Sequence, residues 1–286
     1  MMTIDANRLM NYPVPEIRQR YTAHDSAFYA LSVGMGRDPL DEDRLAFVDP
    51  NRGEAQKALP SMALVLGYPG FWLVRPDTTV DPTRALHGTQ AVQWHRELPV
   101  AGEVIGRTRV VRVVDRGEGK HAMVLSERQI VDAASGDVYA TLSQLHVLRG
   151  QGGFGGDAGP LPPTHALPAA PPRWQVDVPT YPEQALLYRL NGDLFALHAD
   201  PAMARKSGFP RPLLHGMCVA GIATQVLMRL LADDDPARLT SIEMRFSAPA
   251  FPGETVQIEA WDDGSFRARC VQRDVVVLDN GRVTIR

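Results

Sequence analysis

Apolar and polar residues alternate with a two-residue period over 91–98, 103–114, 121–131 and 138–147, and again over 241–246, 255–261, 265–272 and 275–283. That period predicts eight strands, each with one face turned to a core. One stretch breaks the pattern. Residues 217–231 are apolar on nearly every face of a helical wheel, which predicts a helix enclosed by other structure and not one lying on a surface. Two shorter helices are signalled by their ends. Asp25 is placed to cap 26–33, with Gly34 to end it, and Asp200-Pro201 opens a short helix that Gly208 stops.

Residues 150–175, glycine-rich and then proline- and alanine-rich, hold no regular element and read as a linker between a first unit, 1–149, and a second, 176–286. Gly150, Gly152 and Gly155 have the spacing of a dinucleotide fingerprint, but no helix follows to receive a phosphate. The two units look like distant repeats. Leu86-His87-Gly88 is followed by a Pro/Gly corner ending at Gly102, and Leu214-His215-Gly216 by one ending at Gly253. The first interval is 14 residues and the second 37, and the excess holds the apolar helix. The expected fold is therefore α+β, a double hotdog. An antiparallel sheet wraps a buried helix in the second repeat; that helix is reduced or lost in the first, leaving its sheet a spare groove.

Composition narrows the function. A net charge of −3 and a pI near 6.2 give no general attraction to nucleic acid or anionic membranes. No apolar run approaches the ~20 residues of a membrane span. The N-terminus lacks a secretory pattern, the C-terminal Val-Thr-Ile-Arg is not a peroxisomal tripeptide, and two cysteines make no disulfide framework, so a cytoplasmic setting is expected. No Cys/His cluster has zinc spacing, Ser207 and Ser247 lack the context of a nucleophile elbow, Cys218 reads as core, and His24, His95, His121 and His146 carry no assigned role.

The candidate chemistry lies in 188–216, where Asp193, His198 and His215-Gly216 are interleaved with apolar residues. Asp193 and His198 would diverge by about 140° on a helix, so a loop must join them if both address one substrate. A carboxylate and an imidazole in an apolar cleft suit general acid–base work on water. Gly216 at the start of the buried helix would point its N–H along the positive end of the helix dipole, a site for a polarised carbonyl oxygen. His215 reads as a structural hydrogen-bonder more than as a base.

These residues resemble the MaoC-like, hydratase 2 family of (R)-specific enoyl-CoA hydratases. The likeness is carried by Tyr188-Arg-Leu-Asn-Gly-Asp-Leu-Phe-Ala-Leu-His198 and Gly208-Phe-Pro-Arg-Pro-Leu-Leu-His-Gly216. It extends to Tyr29-Ala-Leu-Ser, Leu66-Gly-Tyr-Pro-Gly-Phe-Trp72, Gly152-Gly-Phe-Gly155 and Arg245-Phe-Ser-Ala-Pro249. The resemblance implies reversible hydration of trans-2-enoyl-CoA to (3R)-3-hydroxyacyl-CoA, with acyl-CoA as the small-molecule partner and with neither metal nor redox cofactor. It implies Asp193 and His198 as the acid–base pair and Gly216 as the oxyanion donor. Substrate contacts would come from His87, Gly88, Arg116, Leu194, Phe195, Ala196, Leu197 and Phe246, with Arg116 suited to a CoA phosphate and the first repeat accommodating the acyl chain. A homodimer is expected from the exposed surfaces of the fold. The chain departs from the family at Phe195-Ala196, where Asn-Pro is usual. An acyl-CoA thioesterase, or a lapsed enzyme that only binds acyl-CoA, are the competing readings.

Overall fold

The computed structural model describes residues 3–286. Among them ten strands form one antiparallel sheet: β1 (Ile17–Tyr21), β2 (Ala85–Trp94), β3 (Gly102–Asp115), β4 (Ala122–Asp132), β5 (Val138–Leu148), β6 (Trp174–Pro179), β7 (Leu239–Phe246), β8 (Thr255–Ala260), β9 (Ser265–Cys270) and β10 (Val275–Ile285). The helices are α1 (Ala6–Met10), α2 (Ala23–Ser32), α3 (Glu42–Val48), α4 (Gln184–Tyr188), α5 (Pro201–Lys206) and α6 (Gly216–Ala232). The strand order β1-β3-β4-β5-β2-β7-β10-β9-β8-β6 is one five-strand pattern used twice, back to back. β2 and β7 pair at the seam, with Ala91 opposite Glu243. With α6 held inside the second half, this is a double hotdog, an α+β fold.

The eight predicted strands are present, most with ends shifted by one or two residues, because alternation translates directly into one buried face; on β4 it runs Ala122, Val124, Ser126, Arg128, Ile130. β2 is the exception, running 85–94 where 91–98 was expected. α6 is buried without a break from Cys218 to Met228, lying against β7, β8, β10 and a 3-10 turn, Pro60–Leu64. Thr22, and not Asp25, caps α2. Thr22 Oγ1 accepts from the Asp25 N–H while the Asp25 carboxylate accepts from the Thr22 N–H at 2.7 Å, a reciprocal capping box.

Two expectations are corrected. His87-Gly88 is not a turn equivalent to His215-Gly216: it lies in β2, whose counterpart is β7, whereas His215-Gly216 opens α6. The interval comparison therefore measured unlike segments. Residues 22–84 join β1 to β2 and residues 180–238 join β6 to β7, connections of similar length. The first repeat has spent its connection differently. In place of a long helix it lays down residues 58–67, every one buried, so the groove facing α6 is largely filled. Residues 150–173 hold no regular element, as expected, but their start is fixed: the Asp115 carboxylate accepts from the N–H groups of Gly117, Gly153 and Gly155.

Gly67 and Gly106 hold the filling segment in place. A Cβ on Gly67 (φ +55°) would lie 2.6 Å from the Gly106 Cα, so the segment rests on β3 backbone to backbone. Gly106→Ala is expected to cost about 1–3 kcal/mol, because no side-chain rotation relieves a backbone contact. Thermal or urea unfolding measures it, and an unchanged midpoint would show that the segment is held by other means.

Candidate active site

A cavity of about 340 Å³ opens between the repeats. Its walls include Asp193, Phe195, Leu197, His198, Gly216 and Phe246 from the second repeat and Tyr68, Phe71, His87 and His146 from the first.

The acid-bearing loop is built from its backbone. α4 runs into a single 3-10 turn and ends at Gly192, whose φ of +118° turns the chain sharply. Asn191 ties this corner to α2 by donating from Nδ2 to Ser32 Oγ at 2.9 Å. A second 3-10 turn, Ala196–His198, then brings His198 round to the side of Asp193, as the required loop predicted. The two side chains, together with His215, place oxygen and nitrogen atoms within 4.8 Å of one another.

Two imidazoles lock this loop to the start of α6. His198 Nδ1 lies 3.0 Å from the Leu213 carbonyl, which assigns the proton to Nδ1 and leaves Nε2 an acceptor. His215 Nε2 lies 3.2 Å from the Asp193 carbonyl and donates to it. The rings stack at 3.7 Å and 22°. Asp193, His198 and His215 are the residues that could hold a cation here, and the same carboxylate–imidazole contact suits proton transfer. Burial lowers the His198 pKa, opposed by the nearby Asp193 carboxylate and the Leu213 carbonyl. Burial and His198 together push His215 down to about 2. Both rings are held neutral.

Gly216 is the first residue of α6, so its N–H has no intrahelical acceptor. A Cβ there would meet the Phe246 ring at 2.8 Å. The missing side chain thus lets Phe246 close over the helix start, and Phe246 in turn packs on His87, centroids 4.5 Å apart. His87 points inward because of a bulge: pairing with β5 jumps from His87–His146 to Thr89–Leu145 across Gly88. Gly88 does not line the cavity, but it sets the direction of His87.

Other expected contacts fall away from the cavity. Leu194 is 64% exposed, and Ala196 is also exposed, because the tight turn alternates its residues between cavity and solvent. Arg116 is not on the wall; its Nη1 faces the carbonyls of Ala158 and Gly159 at 3.2 Å, in the linker. Conversely, three wall residues had no assigned role. His146 lies across from His87 by strand register, with rings 5.2 Å apart, and Phe71 stacks on it at 5.6 Å. Tyr68 completes this wall. Phe195 joins it edge-on, 5.8 Å from Phe71 and 6.3 Å from His198.

A double hotdog with an acid–imidazole pair beside the free end of its enclosed helix is the architecture of a MaoC-like protein. Residues 19–150 match the family described as MFE-2 hydratase 2 N-terminal domain, and residues 164–283 match the MaoC like domain. The chain is 38% identical to 3-hydroxyacyl-thioester dehydratase Y of Mycobacterium tuberculosis, over 99% of this chain and 98% of that protein. It is 34% identical to the peroxisomal enoyl-CoA hydratase 2 of Arabidopsis thaliana, over 99% and 96%. A MaoC-like dehydratase from Phytophthora capsici superposes with a TM-score of 0.86 at 30% identity, covering 99% of this chain and 98% of that one. The chain belongs to the MaoC-like hydratase 2 family.

Burying these imidazoles makes stability depend on pH. Burial holds His146 at about 4 and His215 at about 2, and His87 is also lowered, by burial and by His146. Below about pH 6.5 the unfolded chain takes up these protons while the folded one does not, so stability present above that pH is lost as pH falls. The loss is about 1.4 kcal/mol per histidine per pH unit until each folded pKa is reached. Urea midpoints between pH 7 and 4.5 should fall steeply, and His146→Gln should flatten the slope; an unchanged slope would place a protonated ring in the fold.

Proposed function

We propose that the protein catalyses the reversible addition of water to trans-2-enoyl-CoA, giving (3R)-3-hydroxyacyl-CoA, with Asp193 and His198 as the acid–base pair. The observation that carries this reading is the facing of a carboxylate and an imidazole within 4.8 Å at the wall of a largely apolar cavity, beside a helix N–H that has no partner among the described residues. The Gly216 N–H donates to the thioester oxygen and stabilises the charge that builds on it as C3 becomes electrophilic. Water held by the pair adds its oxygen to C3. His198 Nε2 takes a proton from the water, and the pair returns a proton to C2. A depressed imidazole pKa suits this role, because the ring is an available base at neutral pH. The chemistry is complete with protein groups and water, with no metal or redox cofactor.

The aromatic wall from the first repeat, His87, His146 and Phe71, faces the acyl chain, so residues 1–149 shape the substrate and residues 176–286 perform the reaction. Phe195, Leu197 and Phe246 complete the apolar contacts. A homodimer and a cytoplasmic setting belong to the same proposal. Among the described residues no helix is long and apolar enough to cross a membrane.

Asp193→Asn and His198→Gln should each lower kcat roughly 10²–10⁴-fold while leaving the unfolding midpoint close to that of the parent. Loss of enoyl absorbance at the thioester band reads the rate, and a free-thiol assay on the same samples separates hydration from thioester cleavage. Turnover near that of the parent in either variant removes that residue from the mechanism. Phe195→Asn exchanges a ring against Phe71 for an amide, and should shift preference toward shorter acyl chains without restoring a lost activity. If the parent is inactive on every chain length and Phe195→Asn is active, the protein binds acyl-CoA without converting it.

A further inference from the structure

The middle of the inward face of the first repeat's sheet carries polar side chains where an acyl groove should be apolar. Strand register sets out its rows. Val124, His146 and His87 lie side by side at the cavity; next inward come Ser126, Gln144 and Gln90; then Arg128, Leu142 and Val92. Each row is about 6.7 Å beyond the last. Along these rows Gln90 Oε1, Ser126 Oγ, His146 Nδ1 and both Nε and Nη1 of Arg128 are buried with no hydrogen-bond partner among the described residues. Arg128 is the most costly. It is 3% exposed, and its only bonds among these residues run from Nη2 to the carbonyls of Ala63 and Leu64. No acidic side chain is among the groups acting on it, and burial lowers its pKa to about 10. An enclosed guanidinium without an anion is strongly unfavourable. Its cover on the cavity side is Tyr68, whose ring lies 5.2 Å from the guanidinium and which itself forms part of the cavity wall.

We propose that Arg128 and Ser126 form an anion subsite for the far end of the acyl chain, so that the preferred substrates are 2-enoyl-CoAs whose chain ends in a carboxylate. This rests on the hydratase reading and refines it. The chain runs from Gly216 past His87 and His146, and Tyr68 turns aside to let the carboxylate accept from Arg128 Nε or Nη1 and from the Ser126 hydroxyl. A charge-assisted pair formed out of water rewards the anionic end and leaves a methyl end facing an uncompensated cation.

The test is a matched series of enoyl-CoAs of rising length, each ending in methyl or carboxylate, with kcat/KM taken as a carboxylate-to-methyl ratio. In the parent protein the ratio should exceed roughly tenfold at one chain length. It should fall toward one in Arg128→Met and drop in Ser126→Ala, which keeps the bonds to Ala63 and Leu64 and serves alone if Arg128→Met does not fold. A parent ratio at or below one at every length overturns the proposal, as does a ratio unchanged in a folded variant. Crotonyl-CoA, too short to reach the subsite, reads the hydratase assignment separately. If it and all longer substrates are inert, the same ratio is taken from calorimetric binding of the saturated acyl-CoAs.

Discussion

Everything at the site hangs on a reciprocal exchange of two hydrogen bonds. His198, from the loop, donates to the carbonyl of Leu213, and His215, from the segment entering α6, donates back to the carbonyl of Asp193. The Leu213 N–H adds a third link by donating to the Leu197 carbonyl at 3.2 Å. The segments are thus stitched by side chain and backbone alike. The stitching fixes the tautomer of each ring as well as its place, so the same bonds that hold the loop also decide which nitrogen of His198 faces the cavity. Removing His215 would accordingly loosen Asp193 by freeing its backbone carbonyl.

The repeats share a strand plan and differ in what they wrap. In the second, α6 is rich in small residues, and its N-terminus is presented to the cavity. In the first, the corresponding space is taken by a segment with a single 3-10 turn and no α-helix, whose remaining carbonyls are capped by Arg128 and by the Trp94 indole, which donates to Pro60 at 2.9 Å. A helix satisfies its own backbone; an irregular segment must borrow donors from the sheet. The polar residues on the inner face of the first repeat follow partly from that need and partly exceed it.

Much of this was legible in the sequence because alternation and enclosed apolar runs are local signals. Strands β3, β4 and β5 follow from period-two patterns, and α6 from its lack of a polar face. β1, Ile-Arg-Gln-Arg-Tyr, was not visible, because a short edge strand with charged alternate positions is indistinguishable from a polar loop. The pairing of Asp193 with His198 was implied by the family motif, while their spacing required only that a loop join them. His146 did not, since its place arises from cross-strand register with His87, which no single stretch of sequence encodes. Arg116 failed as a cavity residue for a related reason: the carbonyls facing it come from Ala158 and Gly159, more than forty residues away along the chain. Leu194 and Ala196 were displaced by a single turn of 3-10 geometry.

The buried segment 58–67 also has a consequence for the order in which the protein is made. It packs against α6, whose residues lie well over a hundred positions later in the chain. During synthesis at roughly 5–20 residues per second the first repeat therefore emerges with an apolar strip uncovered, and waits about ten seconds or more for the helix that covers it. The two repeats are not independent folding units despite their separate five-stranded halves. Cutting the chain in the linker would yield an N-terminal fragment with an exposed sticky face, which is a reason for the two halves to remain on one polypeptide.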